Sequence, residues 1–205
     1  RLENQQKKVG RLLELAIALK KLKVCAHMEI VGAGVAEKDL RIAFKKKVTH
    51  SGSVTWNFSG AVAPSEVSDL LSKSDVLILV SAYEGYPLVV QEAMAAGVCP
   101  VVMEVQSGIG DLIATGVDGW IVPQADVGAM ADVINKLDKN RNLLEKNCRA
   151  ALKSATKRSG VGGFIPRFHR VLLRALDQPC PQFRQLPLYV PRHIHQSVGD
   201  TVKIV

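Results

Sequence analysis

Val76-Leu77-Ile78-Leu79-Val80-Ser81-Ala82-Tyr83-Glu84-Gly85-Tyr86-Pro87-Leu88-Val89-Val90-Gln91-Glu92-Ala93-Met94-Ala95-Ala96-Gly97 is the stretch on which the reading of this chain turns. Its first five residues are an unbroken apolar run, as expected of a strand buried on both faces. A Glu-Gly turn follows, then a helical segment that Gly97 ends. In a parallel α/β sheet, a strand that runs into a turn and a helix N-terminus marks the ligand-binding edge, because the helix presents unpaired N–H groups there. Glu84 and Glu92 bracket the turn. A straight helix throughout would set them about 12 Å apart along its axis, a span that one ligand can bridge.

Working outward, helix and strand alternate with short links, the pattern of a doubly wound parallel sheet with helices on both faces. Expected helices cover residues 8–22, 35–47, 64–71, 88–96, 109–113, 126–137 and 140–157, and expected strands cover 25–31, 54–59, 75–80, 100–103 and 119–123. Pro64 suits a first helical turn, and Asp126 suits an N-cap. Residues 1–158 form the expected domain. Past Ser159 the glycines Gly160, Gly162 and Gly163 break the chain, a last helix is expected over 159–176, and the proline-rich 177–205 reads as an extended arm or tail.

The chain has 205 residues, 47% of them apolar, enough for one full core. No apolar run reaches the roughly 18 residues of a membrane span, and the N-terminus lacks the apolar segment of a signal peptide. Cys25, Cys99, Cys148 and Cys180 show no paired spacing and read as reduced, structural thiols of a cytoplasmic protein. The five histidines have no metal-ligating spacing with them, so no metal site is expected. The net charge of +8 conceals a pattern. Residues 1–50 carry 12 basic and 5 acidic side chains, residues 51–137 carry 2 and 10, and residues 138–205 carry 13 and 4. An acidic middle between basic ends is unlike the single basic face of a nucleic-acid binder. Solvated helix faces are the plain reading of those ends; attraction to an anionic small molecule, or peripheral contact with an acidic membrane at its cytoplasmic face, is the sharper one.

The run Ser74 to Val102, with Glu84, Glu92 and Ala93-Met94-Ala95-Ala96-Gly97, closely resembles the donor-binding signature of the retaining group 1 (family 4) glycosyltransferases. Four flanking segments agree in order: Arg1-Leu2 with Gln6-Lys7, Ile30 to Gly34, Phe58-Ser59-Gly60, and Gly116 to Pro123. The resemblance spans about residues 1–140. It implies one Rossmann-like half of a GT-B fold, the C-terminal half, which binds the nucleotide-sugar.

The resemblance also assigns roles. Breaking a sugar–diphosphate bond develops negative charge on the leaving pyrophosphate, and a metal-independent site must meet it with fixed cations and backbone donors. Arg1 and Lys7 are the implied cations, and the N–H groups of Leu88 and Val89 would face the phosphates, with Gly85 allowing close approach. Glu92 is the implied ribose ligand, since a carboxylate can accept from two hydroxyls. Glu84 would sit by the transferred sugar and its oxocarbenium-like transition state; a helix N-cap acid is its plain alternative. Gly60 and Val62 lie in the region that meets the base. No cofactor is implied beyond the donor itself, a UDP-, GDP- or ADP-sugar, and the expected setting is glycan or lipid-linked polysaccharide biosynthesis.

The strand and glycine that precede the arginine in the family, and the whole acceptor domain, have no counterpart in these residues. The chain is therefore expected to be one half of a longer or split transferase, binding donor weakly and inactive alone. Two competing readings are a non-catalytic nucleotide-sugar-binding or interaction domain and a fragment of a GT-B-like nucleotide-sugar epimerase.

Overall fold

The computed structural model describes residues 1–48, 52–159 and 169–170. In chain order the elements are α1 (Gly10–Lys21), β1 (Ala26–Val31), α2 (Glu37–Lys47), β2 (Val54–Gly60), α3 (Pro64–Ser72), β3 (Val76–Leu79), α4 (Leu88–Ala95), β4 (Cys99–Met103), α5 (Ile109–Leu112), β5 (Trp120–Val122), α6 (Val127–Lys139) and α7 (Arg141–Ser159). The expected alternation is present with boundaries shifted by a residue or two, and all strand pairs are parallel. The expected last helix and tail lie outside the described residues, apart from Ser159, His169 and Arg170.

Alternate strand side chains face opposite ways, and β3 and β4 bury both sets. Ile78, Val80, Cys99, Val101 and Met103 enter one apolar core with α1, α2 and α6. Leu77, Leu79, Val98 and Val102 enter a second with α4, α5 and α7. Helices therefore cover both faces, which is why these strands read as unbroken apolar runs. α1 turns a buried stripe of Leu12, Leu15, Ala16 and Leu19 toward its core.

The β1–β2 pair differs. Met28, Ile30, Trp56 and Phe58 face the first core, where Phe44, Trp56 and Phe58 pack edge to face at 5.5–5.7 Å between ring centres. Thr55, Asn57 and Ser59, with His27 and Glu29, occupy the opposite, polar face.

The sheet is in two pieces, β1-β2 and β3-β4-β5. A cavity of about 330 Å³ lies between β1 and β3, lined by Met28, Ile78, Leu15, Leu19 and Ile134 among others. Cys25, Ala26, Asp75 and Val76 also line it, so it opens at the amino ends of the strands. The candidate site lies at the other end. There the first residues of the chain tie the two pieces together: Leu2 N donates to Ala33 O at 2.9 Å, just past β1, and Ala82 N, just past β3, donates to Gln6 O at 2.8 Å. That crossing requires glycine at 34, where a Cβ would stand 2.2 Å from Leu2 O. No helix among the described residues is long and apolar enough to cross a membrane.

Candidate functional site

The carboxyl edge of the sheet gathers most of the residues singled out in the sequence. Gly60 ends β2 with φ +67°, a left-handed backbone that favours glycine, and its carbonyl accepts from Gly32 N at 2.7 Å. Val62, in the link to α3, is half-buried. The backbone of Arg1 lies against Gly32, just past β1; its side chain is 57% exposed, with Nη2 4.0 Å from Glu3 Oε2.

Lys7 and Glu84 come together. Lys7 Nζ lies 2.9 Å from Glu84 Oε1, and the two side chains are only 12% and 9% exposed. Ser81 Oγ donates to the same oxygen at 2.6 Å. A nearly dehydrated carboxylate is costly unless a cation and hydrogen bonds offset it, and this one has both. Lys7 thus sets its charge against Glu84 while keeping two of its three N–H donors in hand.

The turn bearing Glu84 is held from below. Gln6 Nε2 donates to Tyr83 O at 3.3 Å, Gln124 Nε2 to Ala82 O at 2.8 Å, and Arg11 Nη1 to Val80 O at 2.8 Å. Gln6 entered the sequence reading only as part of a flanking motif, and Ser81, Arg11 and Gln124 were assigned no role there. Ser81 carried a local signal, a hydroxyl at the end of an apolar strand three residues before the acid, whereas the other three make contacts spanning tens of residues that no spacing reveals.

α4 begins at Leu88, where the helix is expected. Pro87 is its N-cap, with no side-chain cap, so Glu84 lies three residues upstream and is not the cap acid offered as its plain alternative. The cause is local: Glu84 is already engaged by Lys7 and Ser81 and cannot turn to the helix. The amides of Leu88 and Val89 consequently have no partner among the described residues, and the exposed Leu88 shows that this end is open to solvent. Glu92 is exposed one turn into α4. The 12 Å estimate for a helix running straight from Glu84 does not apply, since the first four positions form the turn. Gly85 is exposed, with open space where a Cβ would project. Tyr83 and Tyr86 flank it, also exposed.

Other polar clusters are self-contained. Asp118, 2% exposed, accepts from Ala114 N and Ser154 Oγ, each at 2.7 Å. Among the described residues no three His, Cys, Asp or Glu side chains gather as metal ligands. Burial pushes the Cys99 thiol up to about 12 and also raises Cys148, which makes both poor nucleophiles. The carboxyl edge presents one carboxylate held from below, open helix amides, and an exposed cation at Arg1.

Comparison with known proteins shows the family and the fold. The amylovoran biosynthesis glycosyltransferase AmsK of Erwinia amylovora is 30% identical over 141 residues, 66% of this chain and 34% of that protein. A UDP-Gal:alpha-D-GlcNAc-diphosphoundecaprenol alpha-1,3-galactosyltransferase of Escherichia coli is 30% identical over 86 residues, 41% of this chain and 22% of that one. The chain thus spans about a third or less of these relatives. Among solved structures, Staphylococcus aureus TarM in complex with UDP and other ligands superposes with a TM-score of 0.72 at 19% identity, covering 81% of this chain and 33% of that one. Anabaena HepE in complex with UDP-glucose superposes with a TM-score of 0.68 at 23% identity, covering 85% and 47%. These likenesses show the fold, the Rossmann-like half expected of a GT-B protein. The model of the group 1 glycosyl transferases matches residues 1–158, and the chain belongs to that family.

Proposed function

We propose that this chain is the donor-binding half of a sugar transferase of glycan or polysaccharide biosynthesis, taking a nucleoside-diphosphate sugar for retaining, metal-independent transfer. The carrying observation is the convergence of the clamped Glu84 with the uncapped amino end of α4 at the carboxyl edge of β3. In this reading the sugar lies at Glu84, the diphosphate over the Leu88 and Val89 amides, and the ribose at Glu92. Arg1 and the spare donors of Lys7 meet the charge that develops on the leaving diphosphate. Gly60 and Val62 border the base. UDP and UDP-glucose in the fold neighbours favour uridine among the three candidate bases. The acceptor site belongs to a partner domain, in the same or another chain.

Calorimetric titration with UDP, GDP and ADP tests the reading. Glu92 is exposed, so Glu92→Ala should fold normally. It should weaken the preferred nucleotide about 10-fold or more, the loss expected for hydrogen bonds to a charged group. Unchanged affinity would remove the ribose assignment, and absence of binding to any of the three would remove the donor-site reading.

A further inference from the structure

The two acceptor atoms of Glu84 are not equivalent. Oε1 receives both Ser81 Oγ at 2.6 Å and Lys7 Nζ at 2.9 Å, whereas Oε2 has no partner among the described residues. Nor is Oε2 sealed in: the one described buried side-chain oxygen or nitrogen without a partner is Asn135 Oδ1. Oε2 therefore reaches solvent while its carboxylate is otherwise withdrawn from it.

The donors on Oε1 come from different places. Ser81 is 2% exposed, two residues past the end of β3. Lys7 arrives from the crossing segment before α1, far away in sequence. Two donors converging on one oxygen from separate elements oppose rotation of the carboxylate about either of its last bonds. An ionised carboxylate only accepts, so the free oxygen is specific for a group that brings a proton.

We propose that Ser81 is a positioning residue: with Lys7 it saturates Oε1, holds Glu84 in one orientation, and leaves Oε2 as the sole acceptor offered to an O–H or N–H donor on the sugar. This rests on the donor-site reading above. Because Lys7 already offsets the carboxylate, the part of the ligand facing Oε2 is a neutral, hydroxylated one, while the diphosphate is met elsewhere. Ser81 thereby bears on recognition of the sugar and not of the nucleotide.

The test separates those two. UDP and UDP-glucose are titrated against the wild-type chain, Ser81→Ala and Ser81→Thr. Ser81→Ala should keep UDP affinity within about 2-fold while the ratio of UDP-glucose to UDP affinity falls about 10-fold, in line with loss of a hydrogen bond to a charged group. Ser81→Thr, which keeps the hydroxyl, should restore the ratio. Equal loss for both ligands, or an unchanged ratio in Ser81→Ala, would overturn the proposal. A ligand-free measurement decides the matter even if no nucleotide binds and the donor-site reading falls. NMR couplings along the Glu84 side chain should report one rotamer in the wild type and Ser81→Thr but averaging in Ser81→Ala. A single rotamer in Ser81→Ala, or averaging in the wild type, would show that Ser81 does not hold the carboxylate.

Discussion

Glu29 and Glu84 are both carboxylates drawn out of solvent, and their surroundings differ in kind. Glu29 lies within β1, where Asn57 Nδ2 reaches both its oxygens at 2.9 and 3.2 Å, Ser59 Oγ donates to Oε1, and His27 Nε2 lies 3.4 Å from Oε2. Every acceptor position is taken by a neighbour on the same sheet face. Glu84 has a cation and a hydroxyl on one oxygen and nothing from the described protein on the other. Burial alone therefore does not mark a functional acid. What sets Glu84 apart is an unspent acceptor beside an open helix end. Glu29 satisfies a polar sheet face; in the donor-site reading, Glu84 is held ready for a group from outside.

Lys7→Met gives the largest test of that difference. It strands a nearly buried carboxylate beside an apolar side chain, and breaking such a pair costs about 3 kcal/mol. A lower urea midpoint at unchanged slope would register it. Adding Glu84→Gln should recover much of the loss, because no uncompensated charge remains. A cost below about 1 kcal/mol would put this pair among exposed surface pairs and remove the distinction.

Asp118→Ala should cost about 1–2 kcal/mol, since a buried carboxylate that accepts from Ala114 N and Ser154 Oγ, both in part-buried hydrogen bonds, is lost. Asp118 resembles Glu29 in having its oxygens engaged, and it ties the turn before β5 to α7. Nucleotide affinity, measured alongside, should not move. A change in affinity would mean that this turn shapes the site. Glu29→Gln is milder: the amide keeps one acceptor but presents N–H groups toward Asn57 or His27, for about 1 kcal/mol. It too should leave nucleotide affinity unchanged, and a selective loss of affinity would make Glu29 a second functional acid.

These contrasts also show where the sequence is transparent. β3 and β4 were legible because burial on both faces leaves an unbroken apolar run, and the turn was legible because Glu84, Gly85, Pro87 and Glu92 are close in sequence. The division of the sheet between β1 and β3 was not, since strand pairing depends on contacts between distant segments. The same holds for the Lys7–Glu84 pair and the Gln124 brace. The polar face of β1–β2 was missed for another reason. In Val54 to Ser59 the alternation of Trp56 and Phe58 with Thr55, Asn57 and Ser59 is visible, but a pattern of one strand does not say that Glu29 lies across from Asn57.

The smallest effect concerns a buried group with no compensation. Cys99 is fully buried beside Cys148, and burial, with smaller contributions from Cys148 and Asp118, raises its thiol from the ordinary 9.0 to about 12. Glu84 enters the interior beside the Lys7 cation; Cys99 has no such partner and is expected to stay protonated well into the alkaline range. The sign follows from linkage. Above pH 9 the unfolded thiol has lost its proton while the folded one retains it, so the folded state binds more protons and stability falls as pH rises. Between pH 8 and pH 9 the loss from Cys99 is about 0.4 kcal/mol, and it steepens beyond. Urea unfolding of the wild type and Cys99→Ala across that range isolates the term, because the variant should show a flatter decline by that amount. Parallel curves would mean that the folded thiol ionises as readily as the unfolded one, and that a buried group at this strand can take up charge without a partner.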